Sequence, residues 1–253
     1  MDLSTLDKQS LSSDSLGVLC LHGFLSSPAF LRETTATLAG GGFQVACPTL
    51  PGHGTAPEDL EETTRHDWIR SAESALGVLQ ARCKHVFVLG HSMGCTLTIH
   101  LAARHRELSG IVLLAPSVAV SRRVRLTVAL LRRWRRWLPN GPLAVEDPKA
   151  RSDTTLHGYP LIPLRALREN LTLKAEAHRL LAEVSVPALL VEGYFDRLVA
   201  PGSARAIARA LGSPEKSVLT AFRSNHGLPV DFDKDWVHQA AIAFMVGRIR
   251  QPG

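Results

Sequence analysis

His85-Val86-Phe87-Val88-Leu89-Gly90-His91-Ser92-Met93-Gly94-Cys95-Thr96-Leu97 is the stretch that decides the architecture of this 253-residue chain. Its first part, His85 to Leu89, is a short apolar run rich in β-branched residues and reads as a strand. Ser92 to Arg106 reads as a helix, so two glycines and a serine fall at the turn between them. Gly90-His91-Ser92-Met93-Gly94 fits G-x-S-x-G, a serine held in a strained strand-to-helix turn where Cβ atoms on the flanking residues would clash. Three fixed positions alone are a modest signal; the strand before and the helix after give it weight.

Working outward, the same alternation recurs. Leu16 to Leu21, Phe43 to Cys47, Gly110 to Ala115, Pro187 to Tyr194 and Ser217 to Phe222 read as further strands. Phe30 to Leu38, Asp67 to Ala81, Gly202 to Leu211 (with Pro201 at its start) and Asp233 to Arg248 read as helices. The expected fold class is therefore α/β, a mostly parallel sheet with helices on both faces. The alternation lapses between Ala115 and Pro187. There the pattern predicts one helix over Ser121 to Leu138, stopped by Pro139-Asn140-Gly141-Pro142, then a loop through Pro160 and a second helix over Leu164 to Val184. The expected organisation is one core from residues 1–116 and 187–253, with a helical cap insertion and return helix over 117–186.

Composition excludes several classes. At 45% hydrophobic and 21% charged, the chain is neither disordered nor fibrous. The net charge of +6 is local: Ser121 to Leu138 holds seven arginines and no acid, which leaves the rest near neutral. With no nucleic-acid motif beside those arginines, no nucleic-acid partner is expected. The longest near-apolar run, Gly110 to Val120, falls short of the roughly twenty residues that cross a bilayer. Met1 to Ser15 is polar without a basic start, and the four cysteines form no C-x-x-C pair. A cytoplasmic protein with buried thiols and no bound metal is expected.

A serine hydroxyl becomes a nucleophile only when a base takes its proton, and the base needs an orienting carboxylate. In a chain of this pattern the order is serine, acid, histidine. His226 and His238 are the histidines that follow every candidate acid; His238 sits in the last helix, whereas His226 sits in the loop Ser224-Asn225-His226-Gly227 after a strand. Asp196 lies just past the strand ending at Tyr194, at the carboxyl edge of the sheet, where sites in open α/β folds gather. Glu192 is inside that strand. The candidate catalytic residues are Ser92, Asp196 and His226. An oxyanion needs two N–H donors, and Met93 after the nucleophile and Phe24 in Leu21-His22-Gly23-Phe24 are placed to supply them. His22 is expected to fix that loop by hydrogen bonding.

Leu21-His22-Gly23-Phe24, Pro51-Gly52-His53-Gly54, Gly90-His91-Ser92-Met93-Gly94, Asp196-Arg197 and Asn225-His226-Gly227, in this order over nearly the whole chain, resemble the α/β-hydrolase superfamily, in particular its small, capped bacterial carboxylesterases and monoacylglycerol lipases. The resemblance implies an α/β-hydrolase fold and cofactor-independent acyl transfer, with an acyl-enzyme on Ser92 hydrolysed by water activated by His226. It implies short to medium acyl esters or monoacylglycerols as substrates. Thioesterases, lactonases and C–C hydrolases use the same triad, and a non-catalytic lipid-surface binding protein is the alternative of another class. Two departures, Cys95 and Tyr194-Phe195, are expected to alter pocket shape. The Ser121 to Leu138 helix is expected to act as a lid, with Leu131 and Trp134 in the substrate pocket and its arginines in peripheral contact with anionic membrane.

Overall fold

A computed structural model describes residues 16–119, 122–131 and 133–249. Its strands are β1 (Leu16–Leu21), β2 (Gln44–Ala46), β3 (His85–His91), β4 (Gly110–Leu114), β5 (Trp137–Pro139), β6 (Leu161–Pro163), β7 (Ala188–Gly193) and β8 (Lys216–Ala221). Six of them form one sheet in the order β2-β1-β3-β4-β7-β8, every pairing parallel. The chain runs from β1 outward to β2, then crosses to β3 on the other side of β1. That reversal opens a crevice between the carboxyl ends of β1 and β3, the place where open α/β sheets hold ligands.

The inner strands β1, β3, β4 and β7 read as nearly continuous apolar runs because both of their faces are covered. Alternate residues serve opposite layers, as a period of two requires. Leu19 and Leu21 of β1 and Val88 of β3 pack with α3 (Arg65–Gln80), α4 (Met93–Ala102), α7 (Leu164–Leu180) and α8 (Ser203–Ala210). Val18, Cys20, Phe87 and Leu89 pack on the other face against α1 (Arg32–Gly40) and α9 (Lys234–Ile249). The start of α3 is set locally: the Thr64 N–H and hydroxyl both donate to the Asp67 carboxylate, at 2.8 and 2.6 Å.

The segment between β4 and β7 departs from the expected pair of helices. The first helix, α5 (Arg122–Leu131), ends seven residues early. The N–H groups of Arg133 and Trp134 turn back to the carbonyls of Leu130 and Leu131. Trp137–Pro139 then pairs antiparallel with Leu161–Pro163 as a ribbon. Between these strands lie the short α6 (Pro148–Ser152) and a 3₁₀ turn at Thr154–Leu156. The ribbon draws its partner from more than twenty residues downstream, so helical periodicity within one window gave no sign of it. α7 belongs to the core by packing, since Ala166, Leu173 and Ala177 are buried among α3 and α4 side chains. No helix among the described residues is long and apolar enough to cross a membrane.

Candidate active site

Ser92 stands at the junction of β3 and α4 with φ 53° and ψ −110°, a left-handed conformation costly for a residue with a Cβ. The flanking glycines make it attainable. A Cβ on Gly90 would lie 2.3 Å from the Gly94 carbonyl, and one on Gly94 would lie 2.0 Å from the carbonyl oxygen of Leu21. The turn therefore presses α4 directly against the end of β1 and lifts the Ser92 side chain into the crevice.

His226 reaches Ser92 from the loop after β8. Its Nε2 lies 2.9 Å from Ser92 Oγ and its Nδ1 lies 2.8 Å from Asp196 Oδ2. The other carboxylate oxygen, Oδ1, accepts the N–H groups of Leu198 and Val199 at 2.8 and 2.9 Å. Burial works to raise the Asp196 carboxyl, but the hydrogen bond and charge of His226 and the two backbone donors outweigh it and hold the group below its ordinary value. Asp196 is thus kept ionised, able to orient the imidazole and to stabilise it when protonated. His238 is elsewhere, buried between α1 and α9 with its Nε2 2.8 Å from Thr34 Oγ1.

The loop after β1 is built by two histidines that stay neutral. The Leu50 N–H donates to His22 Nε2 at 3.1 Å, which places the ring proton on Nδ1, and Nδ1 donates to the Gly23 carbonyl at 2.9 Å. Burial first, then the nearby His53, lowers the His22 pKa to about 3. His53 edges against the rings of His22, Trp68 and Phe24; burial lowers its pKa to about 4. Pro51-Gly52-His53-Gly54 is thereby the buttress that shapes the His22–Phe24 loop. Among the described residues no hydrogen bond uses the N–H of Phe24 or of Met93, and Phe24 borders the same cavity as Ser92.

That cavity, of about 530 Å³, carries Ser92 and His226 at its base and Phe24, Leu25 and Phe30 on one wall. Most of the remainder comes from the segment between β4 and β7: residues 140–144, Arg151, residues 156–160, Ile162, and Leu167, Asn170 and Lys174 of α7, with Leu198 and Val199 beyond β7. Leu131 and Trp134 are not among its walls. Trp134 is 87% exposed on the outside, beside Arg133, Arg135 and Leu164. The helix expected to bring them inward ends before Trp134, and Val128 is the α5 side chain buried against the body. The two departures also point away from the cavity. Cys95 is buried beneath the elbow, donating to the carbonyls of Gly90 and Leu114. Tyr194 meets Phe195 edge to face and Phe222 at a tilt, and Tyr194 and Phe222 line a separate hollow that Asp196 also borders.

One residue that organises the site carries no motif. Asp231, fully buried, accepts the N–H groups of Glu146, Asp147 and Asn225, at 2.7 to 3.0 Å. It ties the His226 loop to the segment that roofs the cavity. His91, stacked on Phe30, adds a second tie by donating from Nε2 to the His226 carbonyl at 3.0 Å.

Comparison with known proteins agrees with this architecture. The model of the family described as "Serine aminopeptidase, S33" matches residues 15–233. The chain is 32% identical over 229 residues to the thermostable monoacylglycerol lipase of Bacillus sp. (strain H-257), covering 90% of each sequence. It is 25% identical to the carboxylesterase of Bacillus subtilis (strain 168), covering 90% of this chain and 91% of that one. Among solved structures, one reported for the metagenome-derived lipolytic enzymes LipS and LipT superposes with TM-score 0.86 at 30% identity, over 92% of this chain and 94% of the other. A monoglyceride lipase from Saccharomyces cerevisiae shares the fold, with TM-score 0.79 at 16% identity over 94% and 88% of the two chains.

Proposed function

This chain belongs to the serine aminopeptidase S33 family and has the α/β-hydrolase fold, and from that premise we propose how it hydrolyses carboxylic esters. Ser92 Oγ attacks the ester carbonyl while His226 Nε2 takes its proton, and the N–H groups of Phe24 and Met93 receive the oxyanion. Collapse of the tetrahedral species expels the alkoxide, which His226 protonates. A water deprotonated by His226 then attacks the acyl-enzyme and the acid leaves. The observation that carries this reading is the Ser92–His226–Asp196 hydrogen-bond chain at the floor of a largely apolar cavity.

Short to medium acyl esters and monoacylglycerols are the proposed substrates, on the strength of the lipase and carboxylesterase relatives. An aminopeptidase reading fits the cavity poorly, because a free substrate ammonium calls for a carboxylate and no aspartate or glutamate lines the walls among the described residues. We read residues 117–186 as the cap insertion together with its return helix α7, which packs on the core, and residues 1–116 and 187–253 as the core. A fluorophosphonate is expected to label Ser92 alone, and Ser92→Ala to abolish both labelling and turnover of a chain-length series of chromogenic esters and thioesters. An adduct on another serine of the folded protein would reassign the nucleophile.

The cap surface supports a peripheral contact with anionic bilayers. Leu126, Leu130 and Trp134 are exposed on or just after α5, beside the exposed Arg123, Arg133 and Arg135, a pairing suited to a lipid interface. Ser121 and Arg132, and the side chains of Arg122 and Arg125, lie outside the described residues. Vesicles rich in anionic lipid should pellet the protein at low salt and release it at high salt, with Trp134→Ala weakening the binding; no pelleting at low salt would refute the contact. The four cysteines carry no disulfide, which suits a reducing cytoplasm.

A further inference from the structure

α7 turns Leu167, Asn170 and Lys174 into the cavity above Ser92, spaced i, i+3 and i+7 along one stripe of the helix. Elsewhere on α7, Arg165 pairs with Glu62, and both Glu169 and Glu176 pair with Arg65. Lys174 has neither a carboxylate partner nor a hydrogen-bond acceptor among the described residues. Its side chain is half-buried; burial works to lower the ammonium pKa, while Cys95 and Asp196 act in the opposite sense. One turn earlier Asn170 is 6% exposed, and its Oδ1 is buried with no donor. Among the described residues, the only other lysine or arginine on the cavity wall is the exposed Arg151, which gives an N–H to the Val145 carbonyl. With two cations and no carboxylate among the described residues of its wall, the cavity lacks an anion, and the Asn170 NH2, which makes no hydrogen bond among the described residues, can donate to one. An unpaired cation held away from water is costly until an anion meets it, and their attraction there exceeds that at an open surface.

We propose that Lys174, assisted by the amide of Asn170, is a specificity residue that receives a carboxylate carried by the substrate away from the scissile ester. The enzyme then prefers half-esters of dicarboxylic acids, or esters of carboxylate-bearing alcohols, to neutral esters of the same size. This deepens the ester-hydrolase reading above and rests on it.

The test separates recognition from turnover by using Ser92→Ala and calorimetry. Three ligands are compared: monomethyl octanedioate, with the carboxylate on the acyl side; O-octanoyl glycolate, with it on the alcohol side; and neutral methyl nonanoate. One of the charged ligands should bind about tenfold or more tightly than the neutral one, and which one does so shows the side that Lys174 reads. Adding Lys174→Met should bring the ratio to near one. Adding Asn170→Asp, almost isosteric, should do the same by supplying an internal partner for the ammonium. Equal binding of all three ligands to Ser92→Ala overturns the proposal without any lysine variant, and so does a charged-ligand advantage that survives Lys174→Met in a folded protein. Turnover of 4-nitrophenyl butyrate by the unaltered enzyme judges ester hydrolysis separately.

Discussion

Asp196→Asn keeps the size and shape of the side chain but replaces a charged acceptor at 2.8 Å from His226 Nδ1 with a group that can also donate. The imidazole then loses the tautomer that leaves Nε2 ready to take the Ser92 proton. We expect kcat to fall by roughly 10⁴, the loss seen for the same change in a related triad, with thermal unfolding little altered. His238→Ala should leave kcat within a few-fold, because that ring touches Thr34 of α1 and the Pro229 backbone and not Ser92 or Asp196; comparable damage from His238→Ala in a folded sample would require a different base. Gly94→Ala belongs to another class of change. Its Cβ would enter the space of the Leu21 carbonyl, which is backbone of the central sheet and cannot retreat. We expect a loss of more than about 4 kcal/mol, or no folded protein, by urea denaturation; a stable, active Gly94→Ala would mean that the elbow is looser than described.

Loops, rather than helices and strands, separate what the sequence reveals from what it hides. The six strands of the large sheet were legible to within one or two residues because each is short, apolar or β-branched at its centre and bounded by turns, and because a parallel sheet repeats that signature. The elbow was legible for a local reason as well, since its backbone conformation demands glycine on both sides of Ser92. The end of α5 was not: Arg133 to Leu138 continues an acceptable helical pattern, and Trp137–Pro139 is drawn into a ribbon by Leu161–Pro163, a partner no local window contains. Asp231 was hidden for the same reason. Its meaning lies in donors from residues 146 and 147, and in isolation it is one aspartate in a loop. Asp231→Asn turns part of this acceptor set into a donor facing N–H groups. We expect about 2–4 kcal/mol lower stability, together with a drop in kcat larger than the change in KM as His226 loses its fixed loop. Urea denaturation and steady-state kinetics on one preparation check both, and an unchanged kcat would uncouple Asp231 from the base.

For the molecule as a whole, buried histidines set the response to acid: burial lowers the pKa of His22, His53, His91, His100 and His238. His22 and His91 are held neutral down to about 3, and His53 down to about 4, chiefly by burial. In the unfolded chain each takes up a proton near 6.5. Between those values the unfolded state binds protons that the folded state refuses, so stability falls as pH falls, by up to about 1.4 kcal/mol per pH unit for each histidine. Urea midpoints measured from pH 7 to 4.5 should drop steeply below pH 6, and His53→Gln should make the slope shallower; a flat profile would show that the rings are accessible. Asp196 adds to this only lower down, because a carboxyl with a depressed pKa gives up its contribution as pH falls below about 4. The path of the chain between β4 and β7 has a consequence of a different kind. The roof of the cavity leaves the carboxyl edge of the sheet after Leu114 and comes back to α7 at Leu164, and α7 alone carries the chain down to β7. Everything between those points can be shortened, lengthened or exchanged for a foreign segment without shifting the register of a single strand of the large sheet. Descendants of this chain can therefore change diet by trading that cassette, and an engineer can graft it in the same way, provided residues 144–147, which meet Asp231 and the His226 loop, are kept.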